Sequence, residues 1–162
     1  MAAKALVPIA FKKDISKGQK TITILAADIG GTKVNMALYH ADPDGLTRIS
    51  EKRYASKDYS SLSAVIHEFS AGKIADRISA AVAGPVVNGK SKLTNLPWVL
   101  DSEAMGKEMD VPVCFINDLE ATAYGLAGLG KDELATLQTG VPETGGNIAI
   151  IAPGTGDRKS VV

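Results

Sequence analysis

An α/β fold built on a mixed five-stranded sheet is what the order of patterns along this sequence predicts. Three strand-like runs come first, separated only by tight turn signals, so they pair antiparallel. Two more strand-like runs follow, each reached through a helical segment, so they join in parallel. Hydrophobic residues make up 45% of the 162 residues and charged residues 22%, a balance that allows one domain with a core, or one domain and the start of another.

Residues 21–29 form an apolar, β-branched run that reads as a buried strand. Gly30 and Gly31 force a turn, and 34–39 reads as the returning strand, leaving residues 28–33 near the hairpin tip. Asp42, Pro43, Asp44 and Gly45 are a turn signal before a third strand at 47–55. Ser60 or Ser61 caps a helix to about Ala71, with Leu62, Val65, Ile66 and Phe69 on its apolar face and Gly72 at its end. A strand at 78–83 stops at Gly84 and Pro85, and 86–96 is an irregular or hairpin excursion around Asn88 and Gly89. Asp101 caps a short helix to about Met109, 111–116 is the fifth strand, and 118–129 is helical in character. Residues 130–146 are a polar connection, with a short strand expected at 135–138. A new apolar strand at 147–152 has no sheet to join, which leaves it able to pair with another chain.

Lys plus Arg and Asp plus Glu are each 18. That balance carries no footprint for nucleic acid or an anionic membrane, and no apolar run approaches a membrane span. Cys114 alone makes no intrachain disulfide and is expected as a buried thiol in a reducing compartment. Residues 1–20 are expected to be a mobile tail, with Pro8 interrupting the apolar stretch that a signal peptide would need.

Four segments carry candidate chemistry. In Asp28-Ile29-Gly30-Gly31-Thr32-Lys33, two glycines allow close approach to a phosphate, backbone amides cradle its oxygens, and Thr32 and Lys33 add a hydroxyl and a charge. Asp28, at the strand end, is placed to hold Mg2+ through water. The spacing is not that of a Walker A loop, and a plain Gly-Gly hairpin turn explains the same residues. Asn117 and Asp118 follow a strand, where ligands of such sheets sit. Asp118 suits a general base for a hydroxyl and Asn117 a sugar hydroxyl's partner, or Asp118 simply caps the next helix. Gly154, Thr155 and Gly156 form a second phosphate-loop candidate or a Gly-rich turn. Thr94 and Asn95 precede Trp98 and offer hydrogen bonds to hydroxyls, while the indole is a core or rim anchor.

Taken in order, these segments resemble the bacterial glucokinase family of the hexokinase and actin-like superfamily, from about residue 21 to residue 156. The element order matches a ribonuclease-H-like lobe with helices on both faces of its sheet. The resemblance implies a lobe at 21–130, a connection at 131–146, and at 147–156 the first strand and second phosphate loop of a truncated second lobe. It also implies ATP-dependent phosphorylation of glucose at its 6-hydroxyl. Asp118 would be the base, and Asn117, Thr94, Asn95 and Gly84 would lie on the sugar side. Asp28 would help place Mg2+, and Gly30, Gly31, Thr32, Lys33, Gly154, Thr155 and Gly156 would line the phosphates. The implied protein is cytoplasmic, binds glucose and ATP but neither nucleic acid nor membrane, and leaves a homodimer open for the full-length enzyme. A kinase for another hexose or amino sugar, or a non-catalytic sugar-binding regulator, fits the same segments. The family's second lobe is absent, so this fragment is expected to be inactive by itself. Residues 157–162 match, in frame, the translation of a common sequencing-library adapter and are expected to be non-native.

Overall fold

The computed structural model describes residues 21–42, 45–72, 75–126, 128–141, 149–152 and 158–161. The tail expected at 1–20 lies outside them. Contacts divide the chain into two compact units, one covering Ile9–Asp118 and the other Met1–Pro8 with Leu119–Val162.

In the larger unit, β1 (Ile22–Ile29), β2 (Lys33–Asp42) and β3 (Gly45–Ala55) form an antiparallel meander. β4 (Arg77–Val82) and β7 (Val113–Asn117) extend it in parallel, giving the order β3-β2-β1-β4-β7. This is the mixed five-stranded sheet that the order of patterns predicts. A two-stranded hairpin, β5 (Lys90–Lys92) with β6 (Val99–Asp101), interrupts the path from β4 to β7. β6 was not foreseen, because three residues are too few to show a period.

Strand alternation sorts the sheet into two faces. Leu25, Ala27 and Ile29 of β1, Val34 and Met36 of β2, and Ile78, Ala80 and Val82 of β4 are buried in one core cluster. Helix α1 (Leu62–Ser70) adds Leu62, Val65 and Ile66, and α2 (Ser102–Met109) adds Met105 and Met109. Both helices start as their sequences dictate. The Ser61 hydroxyl accepts from Ala64 N at 3.2 Å, and Asp101 Oδ1 accepts from the amides of Glu103 and Ala104. The left-handed residue ending α1 is Ala71 (φ 48), and Gly72 (φ 88) follows it. At the far end of the sheet the N–H and hydroxyl of Thr23 both donate to Asp76 Oδ2, tying the start of β1 to the approach to β4.

Cys114 is only partly buried, a correction to the expected core thiol. Its neighbour Phe115 takes the core-facing position of β7, which turns Cys114 to the other face.

In the smaller unit, α3 (Asp118–Leu126, of which Asp118 belongs to the larger unit) packs Leu119 and Ala123 with Ile150. No strand forms at 135–138; that stretch is exposed and irregular after a 3-10 turn at Lys131–Glu133. Nor is the apolar strand unpaired. β8 (Ala149–Ala152) pairs antiparallel with β9 (Arg158–Val161) of the same chain, which satisfies one of its edges.

Candidate functional site

The carboxyl ends of β1, β4 and β7 lie side by side. The register places Ile29 beside Val82 and Val82 beside Asn117, and Ala83 N donates to Ile29 O at 3.0 Å. Such an edge is where open α/β sheets bind ligands. Asp28 is exposed at the end of β1, Gly84 follows β4, Asn117 ends β7, and Asp118 opens α3. Asn117 Nδ2 donates to Gly84 O at 2.9 Å, so two sugar-side candidates from distant parts of the sequence meet here.

The turn from Gly30 to Lys33 is a tight hairpin tip, with Gly30 N donating to Lys33 O at 2.9 Å. Ser56 braces it from below. This fully buried residue donates its hydroxyl to Gly30 O at 3.2 Å and its amide to Thr32 O at 3.0 Å. No motif pointed to Ser56; its only signal is a small polar residue directly after β3.

Gly31 has a specific neighbour. A Cβ on it would lie 3.1 Å from Asn95 Nδ2 and 3.3 Å from Asn95 Cβ. The missing side chain therefore allows the Leu93–Trp98 stretch to close on the hairpin tip. That stretch is anchored by the buried Trp98, whose indole N–H donates to Tyr59 O at 3.0 Å, which makes it the anchor the sequence left undecided. Gly31, Thr32, Lys33, Asn95 and Leu96 line a cavity of about 450 Å3 together with Arg53, Tyr54, Ala55 and Lys57. Arg53 and Lys57 were missed by sequence reasoning, since they lie on β3 and the turn after it and belong to no motif. Thr94 is exposed beside Asn95 and lines neither this cavity nor the next.

The other face of β1–β3 carries a second, open cavity of about 690 Å3 with Asp28, Asn35, Tyr39, Glu51 and Arg53 in its lining. Asp28 thus turns to this face, away from the lining of the Gly31 cavity, and Arg53 touches both. Among the described residues no three His, Cys, Asp or Glu side chains converge as a metal cage. One exposed carboxylate does fit Mg2+, which keeps several waters and takes further oxygens from phosphates. Gly154, Thr155 and Gly156 lie outside the described residues.

The glucokinase family profile matches residues 25–160. The chain belongs to the glucokinase family. A glucokinase of Trichormus variabilis is 41% identical over 139 residues, covering 82% of this chain and 41% of that protein. One from Synechocystis is 35% identical over 153 residues, covering 86% of this chain and 43% of the relative. The crystal structure of a glucokinase from an Antarctic psychrotroph superposes with a TM-score of 0.75 at 29% identity, over 86% of this chain and 45% of that one. The chain therefore spans about two-fifths of the length of these curated relatives. Among the described residues no helix is long and apolar enough to cross a membrane.

Proposed function

We propose that the protein carrying these residues is a glucokinase, moving the γ-phosphoryl group of ATP to the 6-hydroxyl of glucose. The observation that carries the reading is the family match over 25–160. Asp28, Gly84, Asn117 and Asp118 come at the carboxyl ends of β1, β4 and β7, which supports it. The Asp118 carboxylate takes the proton of the 6-hydroxyl as that oxygen attacks the γ-phosphorus. The bond from the γ-phosphorus to the bridging oxygen breaks, and ADP leaves. Asn117, its amide oriented by the bond to Gly84 O, holds a sugar hydroxyl beside the reacting one, and Asn95 and Thr94 offer further partners. Gly30, whose own amide closes the hairpin on Lys33 O, shapes the phosphate loop; the amides of Gly31 and Thr32, with the Lys33 ammonium, face the phosphates, and Asp28 would meet the hydration shell of the metal. Magnesium supplies charge neutralisation on the phosphates, which with positioning is most of what phosphoryl transfer needs. The reading includes a cytoplasmic enzyme at the entry to glycolysis.

The 162-residue chain by itself is expected to show no glucose-dependent ATP turnover, since two-lobe kinases complete and dry their sites by closure. The test is a coupled assay for glucose 6-phosphate on a protein extending this chain to its relatives' length. A panel of hexoses and amino sugars runs beside glucose. Turnover of another sugar in preference to glucose, or sugar binding without turnover in that protein, overturns the reading.

A further inference from the structure

Asp28, Asn35 and Arg53 occupy one row across three strands. The register pairs Asp28 of β1 with Asn35 of β2, and Asn35 with Arg53 of β3. Their side chains are joined in sequence along that row. Arg53 Nε donates to Asn35 Oδ1 at 2.7 Å, and Asn35 Nδ2 donates to Asp28 Oδ2 at 3.1 Å.

The direction of this relay is chemically forced. A carboxamide has two ends of nearly the same shape, one accepting and one donating. A guanidinium only donates, so Arg53 holds the oxygen of Asn35 toward β3. The amide nitrogen then points toward β1, where a carboxylate accepts it. Turned the other way, Asn35 would set a carbonyl oxygen against the carboxylate. Glu51 pairs with Arg48, and Lys52 with Glu68, so neither is drawn into this row.

We infer that Asn35 and Arg53 are positioning residues that fix the Asp28 carboxylate for the hydrated divalent cation accompanying the nucleotide phosphates. This rests on the reading of Asp28 given under Proposed function. Arg53 cannot act by attracting the cation, because its own charge repels it. Its contribution is orientation, passed through Asn35.

The test uses Mn2+ with tripolyphosphate as the probe and water-proton relaxation as the readout, on the full 162-residue chain and four variants. Asp28→Asn is expected to weaken Mn2+ binding tenfold or more, on the order of losing a charged ligand. Asn35→Ala is expected to weaken it about threefold to tenfold, the scale of one ordinary hydrogen bond. Arg53→Lys keeps the charge but loses the planar Nε donor, and is expected to weaken binding about twofold to fivefold. In the double variant Asn35→Ala/Arg53→Lys, the second change is expected to add nothing, because Arg53 acts only through Asn35. Circular dichroism of each variant reports that the sheet is intact, and these are surface side chains whose loss leaves the core untouched. Binding that is absent from the unsubstituted chain, or indifferent to Asp28→Asn, sinks the functional reading of Asp28 itself. Binding that falls in Asp28→Asn but is unchanged in Asn35→Ala and Arg53→Lys overturns the relay alone. Additive effects in the double variant overturn it too.

Discussion

A Cβ placed on Gly31 meets Asn95 at 3.1 Å, tighter than ordinary van der Waals contact. Backbone strain is not the issue there, since Gly31 is not among the residues with positive φ. Gly31→Ala is expected to displace the exposed Asn95 side chain at a stability cost of about 0.5 kcal/mol, the upper end for a surface change. If Asn95 serves a sugar hydroxyl, glucose affinity in calorimetry falls by more than that shift explains; unchanged affinity removes Asn95 from the site. At Asp118, replacement by Asn in a full-length enzyme is expected to lower kcat on the order of a hundredfold or more, with glucose still bound. A near-native kcat leaves Asp118 as no more than the first residue of α3. Two other groups set a pH window. The Tyr59 hydroxyl, then the Lys52 ammonium, hold the Glu68 carboxyl below its usual range, and the same bond pushes Tyr59 up to about 12. A carboxyl depressed by folding stabilises above its unfolded value, and that gain is lost as pH falls through the folded value. A phenol raised by folding stabilises below its unfolded value of 10.0, and the gain is lost as pH rises through about 12. The stability difference between the native chain and Glu68→Gln, followed by urea melts, should therefore shrink at both extremes of pH. A difference that grows with acid contradicts the pairing.

At the scale of elements, much of the larger unit was legible because burial imposes a period. A continuous apolar, β-branched run marked β1, the Gly-Gly turn set off β2, the Leu62-Val65-Ile66 spacing marked α1, and Asp101 marked the start of α2. Ser61→Ala removes the α1 cap and is expected to cost about 1 kcal/mol by urea denaturation; no loss would mean that the helix start is held by packing of Leu62 alone. The motif residues were picked out for a different reason: loops that hold phosphates and sugar hydroxyls restrict which residues can stand in them, and that role here is the proposal made above. What stayed hidden depends on register rather than composition. The pairing of β2 with β3 shifts between Leu38 and Tyr39, so counting from the turn after Asp42 does not place Arg53 opposite Asn35. Ser56 was hidden likewise, because its partners, Gly30 O and Thr32 O, are 26 and 24 positions earlier and are reached only once three strands have stacked in register. The short strand expected at 135–138 failed for the opposite reason. Ala135, Thr136, Leu137 and Gln138 have strand-like composition but no neighbour to pair with, and β propensity reflects packing against neighbours more than an intrinsic preference.

Across the whole molecule, the division of contacts follows the chemistry of the sequence. The unit covering Ile9–Asp118 holds the five-stranded sheet, the single large core and every described site residue. The unit that includes Leu119–Val162 has a small cluster around Leu119, Ala123 and Ile150 and the short β8–β9 pair. Between α3 and β8, residues 134–141 have no regular structure, with Leu137 98% exposed, Val141 96% and Leu134 55%. Proteolysis needs a segment that can extend into a protease cleft, and exposed irregular backbone does so without unfolding anything else. Chymotrypsin at low ratio is therefore expected to make its first cut within the described residues after Leu134 or Leu137. The aromatic sites Tyr54, Tyr59 and Phe69 are held by edge-to-face ring contacts around Tyr54 and by α1, and should be cut only after global opening. Intact-mass analysis of the early digest reads the result directly. Early cleavage after Tyr54, Tyr59 or Phe69, at a rate matching that at Leu137, would mean that the meander and α1 open as readily as the connection, and that the large core does not hold the site as a unit.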